Sequence, residues 1–181
     1  MSNIIKIHGI ILEHNHDIRA RGTSNHVIGE NAYDLPEDLK GKTVVDVGAN
    51  IGAFSILAAK RGAFVYAFEP SPKNFEMLLK NIKHNNVEES VCPLSFAIGK
   101  MGTAKLFLHP IRSDWASLDS SLNELQEDNY IETQVVSLKF VFENEEIDDC
   151  FFLKLDCEGA EKEIFEEIIQ GLHKKIHFIS G

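Results

Sequence analysis

The chain has 181 residues, of which 44% are hydrophobic and 25% are charged, a composition typical of a folded domain with a substantial core. Its net charge of −10 disfavours nucleic acid as a partner, because like charges repel. The sequence contains no apolar run of the roughly 18 residues that a membrane helix needs, and its first residues are too polar for a signal peptide.

The cysteines indicate a reducing compartment. Cys92, Cys150 and Cys157 form no CxxC pair, and each stands in or beside an apolar run. We interpret them as reduced, mostly buried thiols and expect a cytoplasmic protein with no membrane association.

The chain divides into two predicted parts. Residues 1–38 form an N-terminal leader or cap of short apolar pieces that ends in turns, and residues 39–181 form the main domain. In the main domain, β-branched and apolar strands alternate with segments whose apolar residues recur at helical spacing. The predicted elements follow in chain order: a strand (43–48), a helix ending at Gly62, a strand (63–70), a helix that begins at Ser71 and Pro72, a strand (90–99), an antiparallel pair (104–110 and 130–138) around a polar loop, a strand (151–157), a helix from Ala160 to Gly171, and a strand (175–180).

This alternation predicts an α/β fold with an open, mostly parallel sheet and helices on both faces. Right-handed crossovers and the usual mononucleotide-binding winding give the strand order 3-2-1-4-5. A ligand is then expected beyond the carboxyl ends of strands one and four, where the winding reverses.

The turn after the first strand excludes two common ligands. A triphosphate-binding loop needs Lys-Ser or Lys-Thr after its last glycine, whereas Ala53 and Phe54 follow here. The turn reads G-x-x-x-G, so it lacks the middle glycine that lets the backbone approach a dinucleotide pyrophosphate. Asp46, which precedes the turn, would repel a pyrophosphate and would suit a cationic or amine-bearing ligand.

A second acid narrows the ligand further. Glu69 ends the second strand about twenty residues after Gly48, where a carboxylate accepts hydrogen bonds from ribose hydroxyls. A ligand with a ribose and an ammonium but no phosphate fits both acids. S-adenosylmethionine has these groups and carries a sulfonium charge as well.

Three motifs carry a resemblance to a known family. Residues 44–84 resemble the core of a class I, Rossmann-like S-adenosylmethionine-dependent methyltransferase. DVGANIG, YAFEPSP and FFLKLDCEGAE together resemble the FkbM family, over about residues 28–180. One departure is Lys139 after Leu138, where the family often has Leu-Asp. A full class I sheet has two further strands after the fifth. We therefore expect strands 6 and 7 to be absent, and either a domain shortened at its C-terminus or a partner, such as a second copy, that covers the open sheet edge.

The resemblance implies methyl transfer from S-adenosylmethionine to an oxygen, on a sugar, glycan or small metabolite. It assigns the catalytic side to Asp156, Glu158 and Lys154. The implied cofactor-binding residues are Asp46, Gly48, Ala49, Asn50 and Gly52 at the methionine end, Glu69 at the ribose, Pro70, Ser71, Ser95, Phe96 and Ala97 around the adenine, and Asp156 beside the methyl group.

A hydroxyl acceptor benefits from a base, and Asp156 is the best candidate because a carboxylate at a strand end faces the cleft. Lys154 would orient the acceptor or pair with Glu158. Helix capping and a salt bridge to Lys154 are the structural alternative for Asp156 and Glu158. His109 and the loop residues 114–117 are further candidates for the acceptor pocket.

Two other functions stay open. The stretch YAFEPSPKNFEMLLKNIKHNNV is similar to the matching part of tRNA guanine methyltransferases, although Asp156 to Gly159 replaces the Asn-Pro-Pro-Tyr that amino-methylating enzymes usually carry. The chain could also bind the cofactor without catalysis, or need a partner for activity. We predict no metal site, since His14, His16 and Asp17 come with no identifiable further ligand. The acidic run 143–149 predicts a solvated face.

Overall fold

The computed structural model describes residues 3–14, 19–108, 116–117, 129–156 and 160–181. Within these ranges, no helix combines the length and the apolar character that crossing a membrane requires.

The N-terminal region folds into more than turns. Strands β1 (Ile4–Ile7) and β2 (Ile10–Glu13) form an antiparallel hairpin, and helix α1 (Ala20–Ser24) runs directly into a π-helical turn (Asn25–Gly29). Residues 30–42 then form turns and irregular structure, as predicted. The apolar pieces of the sequence are thus the inward-facing residues of a hairpin and of one helical segment.

The rest of the chain alternates strands and helices. The elements follow in chain order: β3 (Thr43–Val47), α2 (Ala53–Lys60), β4 (Phe64–Phe68), α3 (Pro72–His84), β5 (Val91–Leu94), β6 (Ala97–Ile98), β7 (Gly102–Leu108), β8 (Ala116–Ser117), β9 (Tyr130–Val136), α4 (Leu138–Asn144), β10 (Cys150–Leu155), α5 (Glu161–Gln170), a 3₁₀ turn (Leu172–Lys174) and β11 (Ile176–Ser180).

The main sheet is parallel and five-stranded, in the order β5-β4-β3-β10-β11. This arrangement confirms the predicted order 3-2-1-4-5 and the α/β class. Its carboxyl ends bring the segments after β3, β4 and β10 to one edge of the sheet.

The two faces of the sheet are covered by different helices. On one face, Val44, Val65 and Phe152 pack with α2, α3 and the β1–β2 hairpin. On the other face, Val45, Phe68 and Leu153 pack with α4 and α5. Because alternate strand residues point to opposite faces, a strand buried on both sides is apolar at nearly every position, as β3 and β10 are.

Two asparagines of α3 attach the hairpin to the main domain. The Asn81 side chain accepts from the Glu13 amide and donates to the Glu13 carbonyl, and the Asn85 side chain does the same for Ile11. Both asparagines are buried. Their amides therefore replace the neighbouring strand that β2 would otherwise need on this edge.

The predicted third strand, residues 90–99, is wrong as a single element. The chain leaves the main sheet after Leu94, and Ala97–Ile98 pairs instead with β9 in a second sheet of order β6-β9-β7-β8. The predicted antiparallel pair is confirmed as β7 with β9. The apolar run could not reveal the change of sheet, because both halves of it are buried against strands.

The acidic run 143–149 is largely solvated, as predicted, with Glu143, Glu146, Asp148 and Asp149 exposed. However, the run begins inside helix α4, which the sequence reading missed. Ser137 caps this helix by accepting a hydrogen bond from the Phe140 amide at 3.0 Å.

Candidate functional site

A cleft lies at the carboxyl ends of β3, β4 and β10, where the winding of the sheet reverses. Its empty space, open solvent included, is about 1110 Å³. The glycine turn after β3, the segment after β4 and the end of β10 form one side, and residues of the N-terminal region close the other.

The glycine turn uses its own amide groups. Gly48 and Ala49 donate to the Phe68 carbonyl at 3.0 and 2.9 Å. Asn50 donates to Glu69 Oε2 at 2.8 Å. The amides of Ile51 and Gly52 donate to the Asn50 side chain at 2.7 Å and to the Ala49 carbonyl at 2.9 Å. The turn therefore presents none of these five N–H groups to a pyrophosphate, as the missing middle glycine predicted.

Gly52 is required by the geometry of this turn. Its φ of 94° lies in the left-handed region, and a Cβ there would stand 2.7 Å from Leu78 Cδ1 in helix α3. The turn and helix α3 can pack this closely only if residue 52 has no side chain.

Glu69 is the buried acid of the cleft. Its exposed fraction is 5%, and its carboxylate accepts from the amides of Asn50 and Ser71, each at 2.8 Å. Burial raises its pKa from 4.5 to about 7, although the two amides, the Asn74 side chain and the charge of Lys154 all lower it. The carboxylate is thus fixed by the backbone while one edge still lines the cleft.

A buried ion pair lies beneath the cleft. Residues Asp46 and Lys154 are direct neighbours in the parallel register of β3 and β10. Lys154 Nζ stands 3.0 Å from Asp46 Oδ1, in an ion-pair contact, and also donates to the Gly48 carbonyl at 3.0 Å. The Ser55 hydroxyl donates to Asp46 Oδ2 at 2.5 Å. Both charges are almost wholly buried, so each is stabilised chiefly by the other.

Asp156 stands at the mouth of the cleft. It directly follows β10, and its side chain is 52% exposed. The Tyr33 hydroxyl donates to its Oδ2 at 2.8 Å, and Lys154 Nζ lies 3.7 Å from the same oxygen. Burial, followed by the charge of Asp156, raises the pKa of Tyr33 above its usual range. The phenol therefore stays protonated and acts as a donor.

Residues 19–33, here called the cover segment, close the cleft from the N-terminal side. Their small and apolar side chains line it at Ala20, Thr23, Ser24 and Val27, and Tyr33 does so at the end of the segment. The Tyr33 ring packs edge-on against Phe54 with the ring centroids 5.4 Å apart. The cover segment narrows the entry to Asp156.

The structure brings most of the predicted site residues to this cleft. They are Gly48, Ala49, Asn50, Glu69, Pro70, Phe96, Ala97, Lys154 and Asp156. Glu158, the predicted partner of Lys154, lies outside the described residues, as do His109, Asp114 and Trp115. Their predicted roles in the reaction and in the acceptor pocket stay predictions.

Four predicted cofactor residues do not line the cleft. Asp46 is beneath it in the ion pair, and Gly52 is packed under α3. The Ser71 side chain makes no capping hydrogen bond, although its residue is the N-cap of α3, and its amide holds Glu69. Ser95 is exposed, because it lies where the chain passes from β5 to β6.

The sequence analysis did not predict that the cover segment, which includes Tyr33, lines the cleft. The apolar piece HVIG indicated burial, but it did not indicate against what. The contact between Tyr33 and Asp156 spans 123 residues of chain, and no local pattern reports such a pair. His14, for which the sequence analysis predicted no metal-binding role, also lines this cleft. Among the described residues, no group of three or more His, Cys, Asp or Glu is suited to hold a metal.

Comparison with known families agrees with this geometry. The family model of the methyltransferase FkbM domain matches residues 46–179, which includes the glycine turn, Glu69 and the end of β10. The chain belongs to the FkbM methyltransferase family. S-adenosylmethionine is the cofactor of this family, and at that level the predicted cofactor is confirmed.

Two curated relatives also match the chain, and only one of them is named as a tRNA methyltransferase. Over 138 residues the chain is 28% identical to the tRNA (guanine(37)-N(1))-methyltransferase Trm5b of Methanocaldococcus jannaschii, covering 75% of this chain and 40% of that protein. Over 153 residues it is 25% identical to Methyltransferase 1 of Beauveria bassiana, covering 75% of this chain and 61% of that protein. The chain thus spans less than two thirds of the length of either relative.

A solved structure was also matched. The structure of M. jannaschii TYW2 in complex with AdoMet is 28% identical, with a TM-score of 0.42, over 52% of this chain and 43% of that one.

Proposed function

We propose that this FkbM-family chain is a methyltransferase that binds S-adenosylmethionine in the cleft and methylates a hydroxyl oxygen of a sugar or another small metabolite. The observation that carries the proposal is that two carboxylates in different environments line the same cleft. Glu69 is buried and fixed by backbone amides, whereas Asp156 is half-exposed at the entry.

The residues present fit the cofactor. The amides of the glycine turn are satisfied internally, so the cleft offers acceptors rather than the donors that a phosphate needs. Glu69 would accept from the ribose hydroxyls, because each carboxylate oxygen has two lone pairs and the protein amides occupy only part of them. Phe68, Phe96 and Ile98 supply apolar surface for an adenine ring.

The charge balance also suits a cation. Asp46 and Lys154 neutralise each other beneath the cleft, which leaves Asp156, and Glu69 once it has released its proton above about pH 7, as the negative charges that line it. When bound, S-adenosylmethionine supplies a methyl group activated by a positively charged sulfur. A net negative cleft favours such a ligand over an anionic one.

Asp156 is the group that we assign to the acceptor. Its half-exposed carboxylate can accept the proton that a hydroxyl releases as its oxygen becomes methylated. The cover segment narrows the entry and limits the access of water, while Lys154 and Tyr33 hold the carboxylate in place. In-line transfer to carbon depends strongly on such positioning.

Methylation of a base in tRNA is a second candidate, because the M. jannaschii relative that matches 75% of this chain is a tRNA methyltransferase. Against it stands the net charge of −10, since tRNA binding draws heavily on contacts between cations and phosphates. Residues 66–87, the stretch noted as similar to those enzymes, also belong to the cofactor half of the fold, which does not select the acceptor.

The test begins with calorimetry. We expect S-adenosylmethionine to bind the intact chain with a stoichiometry of one, and ATP or NAD not to compete. Failure of the intact chain to bind S-adenosylmethionine would sink both candidate functions together.

The second step measures transfer of a radiolabelled methyl group to a library of hydroxyl-bearing sugars and small metabolites, and in parallel to tRNA transcripts. Product from the hydroxyl library alone supports the proposal, and product from tRNA alone replaces it with the second candidate. Cofactor binding without any product would favour a module that needs a partner. The variant Glu89→Gln removes an exposed carboxylate on the loop before β5. It is the control that shows how far one unit of net charge alters methyl transfer to either class of acceptor.

A further inference from the structure

The strongest feature outside the family match is the contact between Tyr33 and Asp156. Tyr33 precedes residue 46, where the matched region begins, so the family model assigns it no role. Its hydroxyl is nevertheless the closest described group to the Asp156 carboxylate, at 2.8 Å from Oδ2.

We propose that Tyr33 is a positioning residue that fixes the Asp156 carboxylate for proton acceptance, and this inference rests on the proposed function. Among the described residues, both contacts to this carboxylate fall on Oδ2, from the Tyr33 hydroxyl and from Lys154 Nζ.

The phenol can hold the carboxylate because it is itself held. Its ring packs edge-on against Phe54 of α2, with Lys154 Nζ 5.3 Å from the ring centroid. The chain on both sides of Tyr33 is fixed by Arg61, whose guanidinium donates to the Asn31 side chain at 3.1 Å and to the Leu35 carbonyl at 2.5 Å. These contacts to the ring and to the flanking chain restrict the direction in which the hydroxyl points.

The backbone of Asp156 is fixed independently of its side chain. It follows the last residue of β10, and its amide donates to the Val47 carbonyl at 3.1 Å, which fixes the backbone but leaves the side chain free to rotate. A half-exposed aspartate populates several rotamers in water. The hydrogen bond from Tyr33 selects one of them, and it also joins the cover segment to the strand that carries the base.

A double-mutant cycle tests the contact without any acceptor. The variants are Tyr33→Phe, Asp156→Ala and the double variant, and the readout is the equilibrium constant of unfolding in urea. We expect a coupling of roughly tenfold, because the hydrogen bond ends on a charged group at a half-exposed site. The matched control is Tyr66→Phe combined with Asp156→Ala, since Tyr66 is absent from the cleft lining and its hydroxyl donates to the Glu145 carbonyl at 3.5 Å. This control should be additive within about twofold.

Kinetics with the acceptor found above provides the second readout. Tyr33→Phe should lower kcat by roughly tenfold and leave the KM for S-adenosylmethionine within about twofold, whereas Tyr66→Phe should change neither. Additive effects of Tyr33 and Asp156 in the unfolding cycle would overturn the inference, and so would an unchanged kcat. If the wild-type chain methylates no acceptor, the proposed function fails, while the unfolding cycle still decides whether Tyr33 holds Asp156.

Discussion

The two carboxylates of the cleft are held in opposite ways. Glu69 is 5% exposed and is held by amides of residues within twenty positions of it. Asp156 is half-exposed and is held by a phenol 123 residues away and by a buried lysine. The cofactor half is therefore built locally from a strand and its turn. The half that we assign to the acceptor is assembled across the fold, from residues that lie far apart in the chain.

The buried pair of Asp46 and Lys154 links the two halves. Asp46 lies at the start of the glycine turn, and Lys154 lies two residues before Asp156 on the neighbouring strand. Lys154 also donates to the Gly48 carbonyl, so one ammonium group contacts both halves. Substitutions of Asp46 or Lys154 should therefore affect both halves of the site. Substitutions of Glu69 or of Asp156 should each affect only the half to which that residue belongs.

The largest effect is expected at the acceptor end. Asp156→Ala should reduce kcat by about 10²–10⁴-fold, the usual contribution of a general base, and leave the affinity for S-adenosylhomocysteine unchanged within about twofold. Radiolabel transfer and calorimetry measure the two quantities. The control Glu89→Gln removes an exposed carboxylate of another loop and should change neither. A matching loss of cofactor affinity would show that the two halves are not separable.

The next effect is expected at the link. Lys154→Met should reduce the free energy of unfolding by about 3–5 kcal/mol, because it leaves the Asp46 carboxylate buried without its counter-charge. Urea denaturation measures this loss. As the matched control, Lys139→Met breaks an exposed ion pair with Glu143 and should change the stability by at most about 0.5 kcal/mol. Equal effects of the two substitutions would mean that the buried pair stabilises nothing.

The cofactor half should give a characteristic pH dependence. Burial raises the pKa of Glu69 from 4.5 to about 7, so between these values the folded protein holds a proton that the unfolded chain has released. The free energy of unfolding should therefore fall as pH rises through this window, by about 3 kcal/mol in total.

Urea denaturation from pH 4 to pH 8 measures this slope for the wild type and for Glu69→Gln. Stability should decrease across this pH window in the wild type but not in Glu69→Gln, because the glutamine cannot release a proton. The control Glu88→Gln, on an exposed loop, should show the same decrease as the wild type. Parallel curves for the wild type and Glu69→Gln would contradict the assignment.

The smallest effect is expected at the turn. Gly52→Ala should cost about 2 kcal/mol, because alanine is strained at a φ of 94° and its Cβ would meet Leu78. Gly22→Ala is the matched control, since that glycine lies in α1 with nothing within 4 Å of an added Cβ. The control should be neutral or slightly stabilising in thermal unfolding. A neutral Gly52→Ala would mean that the turn relaxes more freely than its packing indicates.

The fold was predictable where local patterns and sheet rules agree. Continuous apolar strands such as Thr43–Val47 and Cys150–Leu155, alternating with helices, leave few ways to wind a parallel sheet. The prediction was wrong at residues 90–99, where one apolar run serves two sheets. It was incomplete at α4 and at the β1–β2 hairpin, whose short elements depend on partners elsewhere, such as Asn81 and Asn85.

The site divides along the same line. The sequence by itself determined the cofactor half: a glycine turn without a middle glycine and an acid at the end of the next strand exclude a pyrophosphate, and the turn's satisfied amides agree with this. These features are local, because a strand and its following turn determine which groups they present. Only the tertiary structure decided that Asp46 pairs with Lys154 beneath the cleft, that Ser95 is exposed outside the cleft lining, and that Tyr33 reaches Asp156. Each of these depends on strand register or on packing between distant segments, which no spacing along the chain records.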